Sequence, residues 1–180
     1  MTATRAGRWW VHLVRVVMVV AASIGLSLGL SAVYGRTLGN DGVAVAPDEQ
    51  ELINRVNAIR AEAHCPAVTA DSSLLAAARA EADDMVTRGF LSSVNPDNED
   101  PVSRARAFGY SGHVTESFAA GLATPSEVAN QWTNPANPNA APVNRRIRDC
   151  HMVSIGIGHS TGTPLPEYAA HVWVMTLGDR

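Results

Sequence analysis

The chain has 180 residues and a formal net charge of −3, with 14 basic residues, all arginine, against 17 acidic ones. That length accommodates one domain and an appendage. The charge is divided: residues 1–47 carry Arg5, Arg8, Arg15 and Arg36 against Asp41, whereas residues 48–180 carry ten arginines against sixteen acidic residues. An acidic domain repels a phosphate backbone, which argues against a nucleic-acid partner. The local exception, Arg145, Arg146 and Arg148, reads as a solvated face.

Residues 16–35, VVMVVAASIGLSLGLSAVYG, form an uncharged run of about twenty residues, enough to cross a bilayer as a helix. Residues 1–15 supply a basic flank, with Trp9 and Trp10 where aromatic rings favour the membrane interface. The positive side stays in the cytoplasm, so the expected arrangement is a single-pass signal anchor with the C-terminal domain outside, and the membrane itself is a partner. The alternative is a signal peptide that is cleaved, leaving a secreted protein; Ala32-Val33-Tyr34 and Ala44-Val45-Ala46-Pro47 are poor cleavage sites. Residues 36–47 read as a linker, and residues 48–180 as the extracytoplasmic domain.

Within that domain the first helix is expected near Asp48, with Leu52, Ile53, Val56 and Ile59 on one buried face and an end before Cys65-Pro66. A second follows Asp71, a good N-cap, with an apolar stripe through Leu74, Leu75, Ala78, Ala82, Met85 and Val86, and Gly89 in the left-handed C-terminal position. Residues 92–101 are a polar, turn-rich loop. Pro101 opens a short helix to Phe108, and Thr124-Pro125-Ser126-Glu127 is a capping box that opens another through Val128 and Trp132. Residues 134–142 hold three prolines and three asparagines and are expected to be irregular. Strands are expected at His113–Phe118, His151–His159 and Tyr168–Leu177, with a Gly/Pro loop over residues 160–167. Helices flanking a small antiparallel sheet make an α+β fold, layered as an α-β-α sandwich.

Export changes the meaning of the two cysteines. Cys65 and Cys150 stand alone in an oxidising space, too far apart for a CxxC motif and without a histidine cluster to make a zinc site. The main reading is a disulfide, which across about 85 residues contributes roughly 4–5 kcal/mol in the chain-entropy model. Two buried free thiols are the alternative.

The order of these segments resembles the bacterial branch of the CAP superfamily, the SCP-like extracellular domains. Leu52-Ile53-Asn54-Arg55-Val56-Asn57 with Arg60 is similar to the family's first helix, and Ala80-Glu81-Ala82-Asp83-Asp84-Met85 through Arg88-Gly89-Phe90 to its second. Arg104 to Tyr110 resembles the segment before the family's Gly-Glu-Asn motif, which reads Thr115-Glu116-Ser117 here. Glu127, Val128 and Trp132 resemble its next helix, and Ile155-Gly156-Ile157-Gly158 and Val172-Trp173-Val174 its last strands. The resemblance implies a cleft that carries two histidines and acidic partners able to hold a divalent metal. Ser93 stands at the first histidine position and Pro142-Val143-Asn144 at the second, so both histidines are absent. One remaining carboxylate cannot make a zinc site, and neither a metal nor another cofactor is expected.

Glu116, Ser93 and Glu127 are the candidate ligand-binding residues. Glu116 is a carboxylate on a short strand beside the implied cleft; Ser93 takes the histidine position; Glu127 also has a structural reading as the N3 residue of its capping box. No catalytic residue is assigned. Ser92 and Ser93 lack a nucleophile elbow, and His113, three residues before Glu116, falls on the opposite face of a strand. His151, His159 and His171 could replace the lost pair only by converging on one cleft. The expected function is therefore a non-catalytic, membrane-anchored or secreted CAP-like domain. It would bind a lipid, a cell-wall component or a protein through a modified cleft near Glu116, Ser93 and residues 134–148. A hydrolase of peptide or cell-wall substrates using Glu116 and a displaced histidine is the alternative, and a purely structural interaction module a third.

Overall fold

A computed structural model describes residues 43–166 and 170–180. The apolar run 16–35, its basic flank, most of the expected linker and Tyr168 lie outside the described residues. Among the described residues no helix is long and apolar enough to cross a membrane. In chain order the elements are α1 (Pro47–Glu62), β1 (Thr69–Ala70), α2 (Ser72–Arg88), α3 (Pro101–Ala107), β2 (Val114–Ala120), α4 (Pro125–Thr133), α5 (Ala140–Ile147), β3 (Ser154–Thr161) and β4 (His171–Gly178).

Local chemistry accounts for most boundaries. The Asp71 carboxylate accepts the N–H of Leu74 at 3.0 Å and starts α2, and Gly89 ends it at φ +70°. The Asp100 carboxylate accepts from Ser103 at 2.7 Å and starts α3. Thr124 and Glu127 form the expected capping box of α4. Helix α1 lacks a side-chain cap at Ala46; instead Glu49 Oε2 accepts the Ala46 N–H at 2.9 Å. The end of the expected linker packs onto the domain, with Val45 buried and the Ala44 carbonyl accepting from Arg79 at 2.9 Å.

Two expectations are corrected. The segment 134–142 is irregular only as far as Asn139: α5 starts at Ala140 and runs through the three-arginine segment. Pro142 lies in its first turn, where a backbone N–H has no intrahelical partner to lose. The sheet is also not wholly antiparallel. Its order is β1-β3-β4-β2, and the two-residue β1 pairs parallel with β3, Thr69 beside Ser154 and Ala70 beside Ile155. Two residues carry no periodicity that a sequence could show.

The antiparallel ladders set which side chains share a face. Gly156, Thr176 and Glu116 are in register across β3, β4 and β2, as are Gly158, Val174 and Phe118. Alternation therefore gives this face Val172, Val174, Thr176, Glu116 and Phe118, and gives the other Ile155, Ile157, Trp173, Met175 and Leu177. The second set packs against Leu52, Ile53 and Val56 of α1, Val128 and Trp132 of α4 and Ile147 of α5. Val172 and Val174 pack against Ala78, Ala82 and Met85 of α2. The result is the α-β-α sandwich. Cys65 and Cys150 are bonded, with Cα atoms 4.9 Å apart. Beside them Arg60, with no exposed surface, donates to the carbonyls of Pro66, Ile147, Asp149 and Met152 at 2.6–2.9 Å.

Methyl groups at Gly156 and Gly158 would overlap the backbone of Leu74 and Ala78 in α2. Gly158→Ala is expected to cost about 2–3 kcal/mol in urea unfolding, because backbone cannot step aside as a side-chain tip can. Reduction of the disulfide is expected to lower the melting temperature by roughly 10 °C or more; an unchanged value would mean that the bridge contributes nothing.

Candidate functional site

Strand β2 places Glu116 on the face covered by α2 and α3, where it meets two further charged side chains. Arg104 of α3 is 3% exposed, and its Nη2 lies 3.3 and 3.4 Å from the Glu116 carboxylate oxygens while donating to the Ser93 carbonyl at 3.0 Å. Its Nη1 lies 2.6 Å from Oε2 of Glu81, a residue of α2 with no exposed surface, and 4.0 Å from Glu99. Three carboxylates thus surround one buried guanidinium. Glu81 and Arg104 Nη1 meet without an aligned hydrogen bond, and neither Glu81 oxygen has a hydrogen-bond partner.

Burial governs the protonation of this cluster. It pushes the Glu81 carboxyl up to about 8, an effect opposed by Arg104 and reinforced by Glu116, Asp84 and Glu99. Burial also pushes Glu116 up, while Arg104 and the Ser93 side chain pull it back. Glu116 and Ser93 are therefore brought together, through Arg104. Glu127 is elsewhere. It is exposed at the start of α4, where Oε2 accepts from Ala123 N–H at 3.1 Å, Thr124 N–H at 3.0 Å and the Thr124 hydroxyl at 2.9 Å. Those bonds hold its carboxyl below the usual range.

None of the expected histidines joins Glu116. His113 precedes β2, and its N–H donates to Asp179 at 2.9 Å. His151 has a 93% exposed side chain paired with Asp149 at 3.0 Å. His159 and His171 do converge, with Nε2 and Nδ1 3.0 Å apart, but on the opposite face and near the far end of the strands from Glu116. Asp48 lies 2.5 Å from His159 Nδ1, and Trp173 stacks on the same ring at 3.7 Å. Among the described residues no group of three or more His, Cys, Asp or Glu side chains is arranged to hold a metal ion.

Two clefts flank the β2 region. A groove of about 390 Å³ has a floor of Leu91, Phe118, Ala119, Ala120, Trp132 and Val143, with the amides of Gln131, Asn137 and Asn139 around it. Leu91 lies two residues before Ser93, Phe118 two residues after Glu116, and Val143 falls at the second expected histidine position. No ionisable side chain lines this groove. Trp132 is 2% exposed, and its indole N–H has no partner. Strand β2 is an edge of the sheet here. Nearby, Arg146 donates to the Ser117 hydroxyl at 3.1 Å. The second cleft, about 530 Å³, lies between α2, the 95–99 loop and α3.

Sequence reasoning missed Glu81 and Arg104 as partners of Glu116. The available signal was a charged residue within an apolar helical stripe: Glu81 follows Leu74 by seven and Ala78 by three, on the buried face.

The sequence model of the cysteine-rich secretory protein family, CAP, matches residues 53–177. No curated protein sequence gives a significant match. An outer surface protein from Borrelia burgdorferi superposes with a TM-score of 0.63 at 17% identity, covering 74% of this chain and 92% of that one. An extracellular protein containing a SCP domain, from Bacillus anthracis str. Ames, gives 0.62 at 14% identity, covering 77% of this chain and 46% of that one. At such identities the likeness is one of fold.

Because burial raises the Glu81 carboxyl, the folded state keeps a proton that the unfolded chain releases above the ordinary carboxylate range. This contribution is fully present below that range and is lost as pH rises to about 8. Melting temperature is therefore expected to fall between pH 5 and pH 8, and Glu81→Gln to flatten that fall. Parallel curves for the two proteins would show that Glu81 does not titrate in this window. Arg104→Ala, which removes the guanidinium from beside the buried Glu116 and Glu81 carboxyl groups, is expected to cost about 3–5 kcal/mol in denaturant unfolding.

Proposed function

The chain belongs to the CAP family of cysteine-rich secretory proteins, and on that basis we propose that it is an extracytoplasmic binding domain that takes an uncharged or weakly polar envelope ligand in the groove beside β2. The observation that carries the reading is the lining of that groove. It combines an apolar floor with amide side chains and offers no acid, base or charged nucleophile. General acid–base chemistry needs a titratable side chain within reach of the reacting atoms, whereas recognition needs apolar area and a few oriented polar groups. A lipid, a glycan of the wall or a peptide segment all combine apolar surface with acceptors.

In this reading Glu116 and Ser93 brace the wall of the groove through Arg104, and Glu127 fixes the start of α4, which carries Gln131 and Trp132. Anchoring by residues 16–35 with the domain outside rests on the apolar run and its basic flank. The family match and the surface or extracellular naming of two structural neighbours support that placement.

The test is native mass spectrometry of the full chain extracted in detergent from its host's membranes, beside the Leu91→Trp variant, which fills the groove. A co-purifying organic ligand is expected on the wild type and lost from the variant, with the melting temperature unchanged. A ligand retained equally by Leu91→Trp would rule out the groove. Turnover of an envelope peptide that disappears in Glu116→Gln would replace the binding reading with a hydrolase.

A further inference from the structure

The groove beside β2 is built around an open strand edge. Its lining comes from both sides of the sheet: Leu91 and Phe118 pack with α2, whereas Ala119, Trp132 and Val143 belong to the core on the other face. A cavity that touches both faces must pass over the edge between them, and that edge is β2, the last strand in the order β1-β3-β4-β2. The ladder fixes which backbone groups lie there. Gly121 donates its N–H to the His171 carbonyl at 2.8 Å, and in an antiparallel pair such bonds recur at every second residue. Ala119 and Ser117, opposite Trp173 and Met175, therefore turn their N–H and C=O groups to β4. Phe118 and Ala120 turn theirs to the groove, and among the described residues neither gains a backbone partner there.

Edge strands are ordinarily blunted by charge, proline, a bulge or a covering segment. The stretch Phe118-Ala119-Ala120 has neither charge nor proline, and β2 pairs with β4 over its whole length without a bulge. Beside it the exposed side-chain amides of Gln131 and Asn139 make no hydrogen bond among the described residues. A side-chain amide offers the same donor and acceptor groups as a peptide bond. The volume, about 390 Å³, suits a short extended segment, not a folded domain. One end of the groove is charged. Arg146 of α5 donates to the hydroxyl of Ser117, the residue before Phe118, at 3.1 Å. Arg145 and Arg146 are both exposed, and neither has an acidic partner among the described residues. On a domain with ten arginines against sixteen acidic residues, two uncompensated cations beside a groove favour a ligand that brings a carboxylate.

We propose that the occupant of this groove is an extended peptide that adds a strand to the sheet along β2, with a carboxylate meeting Arg146. Main-chain bonds to Phe118 and Ala120 set its register, and the apolar floor receives alternate side chains. Such a ligand presupposes that the groove is a binding site, and narrows its class from lipid, glycan or peptide to peptide.

The experiment is fluorescence anisotropy of the full chain in detergent with the fluorescein-labelled peptide Asp-Val-Thr-Val-Asp-amide, whose two carboxylates allow either strand direction. Competitors are the same peptide with Asn for both Asp, and two N-methylated forms, one methylated at both Val and one at Thr. The parent is expected to bind, and the Asn form to bind about fivefold more weakly. The two methylated forms are expected to differ by at least about tenfold, because only one alternate set of N–H groups faces β2. Arg146→Gln, at an exposed position, is expected to weaken the parent by the same factor as the Asn form, to leave the Asn form unchanged, and to keep the melting temperature. Leu91→Trp abolishes binding. No binding of the parent, equal affinities for the two methylated forms, or binding that survives Leu91→Trp would overturn the proposal. A lipid or glycan that co-purifies with the wild type and is lost from Leu91→Trp, with no peptide binding, would overturn the peptide and leave the groove a binding site. A concentration-dependent dimer in sedimentation that Leu91→Trp abolishes would make the occupant a second copy, and overturn the proposal as well.

Discussion

Everything on one side of the sheet depends on how closely the backbone of α2 approaches β3. Gly156 and Gly158 remove two side chains from the face that α2 covers, and the helix settles directly on their backbone at Leu74 and Ala78. The small residues Ala78 and Ala82 complete the fit from the helix side. One turn beyond Ala78 this same helix face carries Glu81. The close packing thus drives a carboxyl group under the sheet, where Arg104 pairs with it at 2.6 Å. A wider helix–sheet spacing would leave Glu81 in water and remove the buried cluster.

The elements on the other face of the sheet are tied together by a different device. Arg60 gathers four carbonyl oxygens from the segments after α1, after α5 and before β3, and Cys65–Cys150 joins the same segments covalently. Burial lowers the Arg60 pKa, with Asp149 opposing the shift, yet a guanidinium stays charged in proteins and satisfies each carbonyl with a directed donor. This region fixes α5 against the sheet, so that Val143 forms part of the groove wall. The two clefts are therefore stabilised independently, one by helix–sheet contact and one by the arginine and disulfide.

The histidines illustrate how alternation divides a sheet. His159 and His171 approach each other and gain Asp48 and Trp173, which is an ordered arrangement. Glu116 faces the other way, and a strand cannot turn one side chain to the other face without moving all of them. The position where relatives of this fold are expected to gather histidines holds Ser93 and Val143 instead. That gives a groove of amides and apolar surface, next to a buried charge cluster that faces a separate cleft.

Much was legible in the sequence because its cause is local. Asp71, Gly89, Pro101 and the Thr124–Glu127 pair set helix ends through their own backbone bonds, and the apolar stripes named the buried faces within a few residues. Two lone cysteines in a domain expected to be exported indicated their bond, and ordered motifs indicated the family. What escaped was long-range or too short to have a pattern: the two-residue β1, the start of α5 through a proline, the four carbonyls around Arg60, and the meeting of Glu81, Arg104 and Glu116 from three elements. Charge on a helix reads as solvent exposure until something determines how near the next layer lies. The sequence by itself determined the layers and the caps, because each depends on neighbouring residues or on identity alone. Only the tertiary structure decided which charges are buried and which clefts stay open, because burial is a property of distances between elements far apart in the chain.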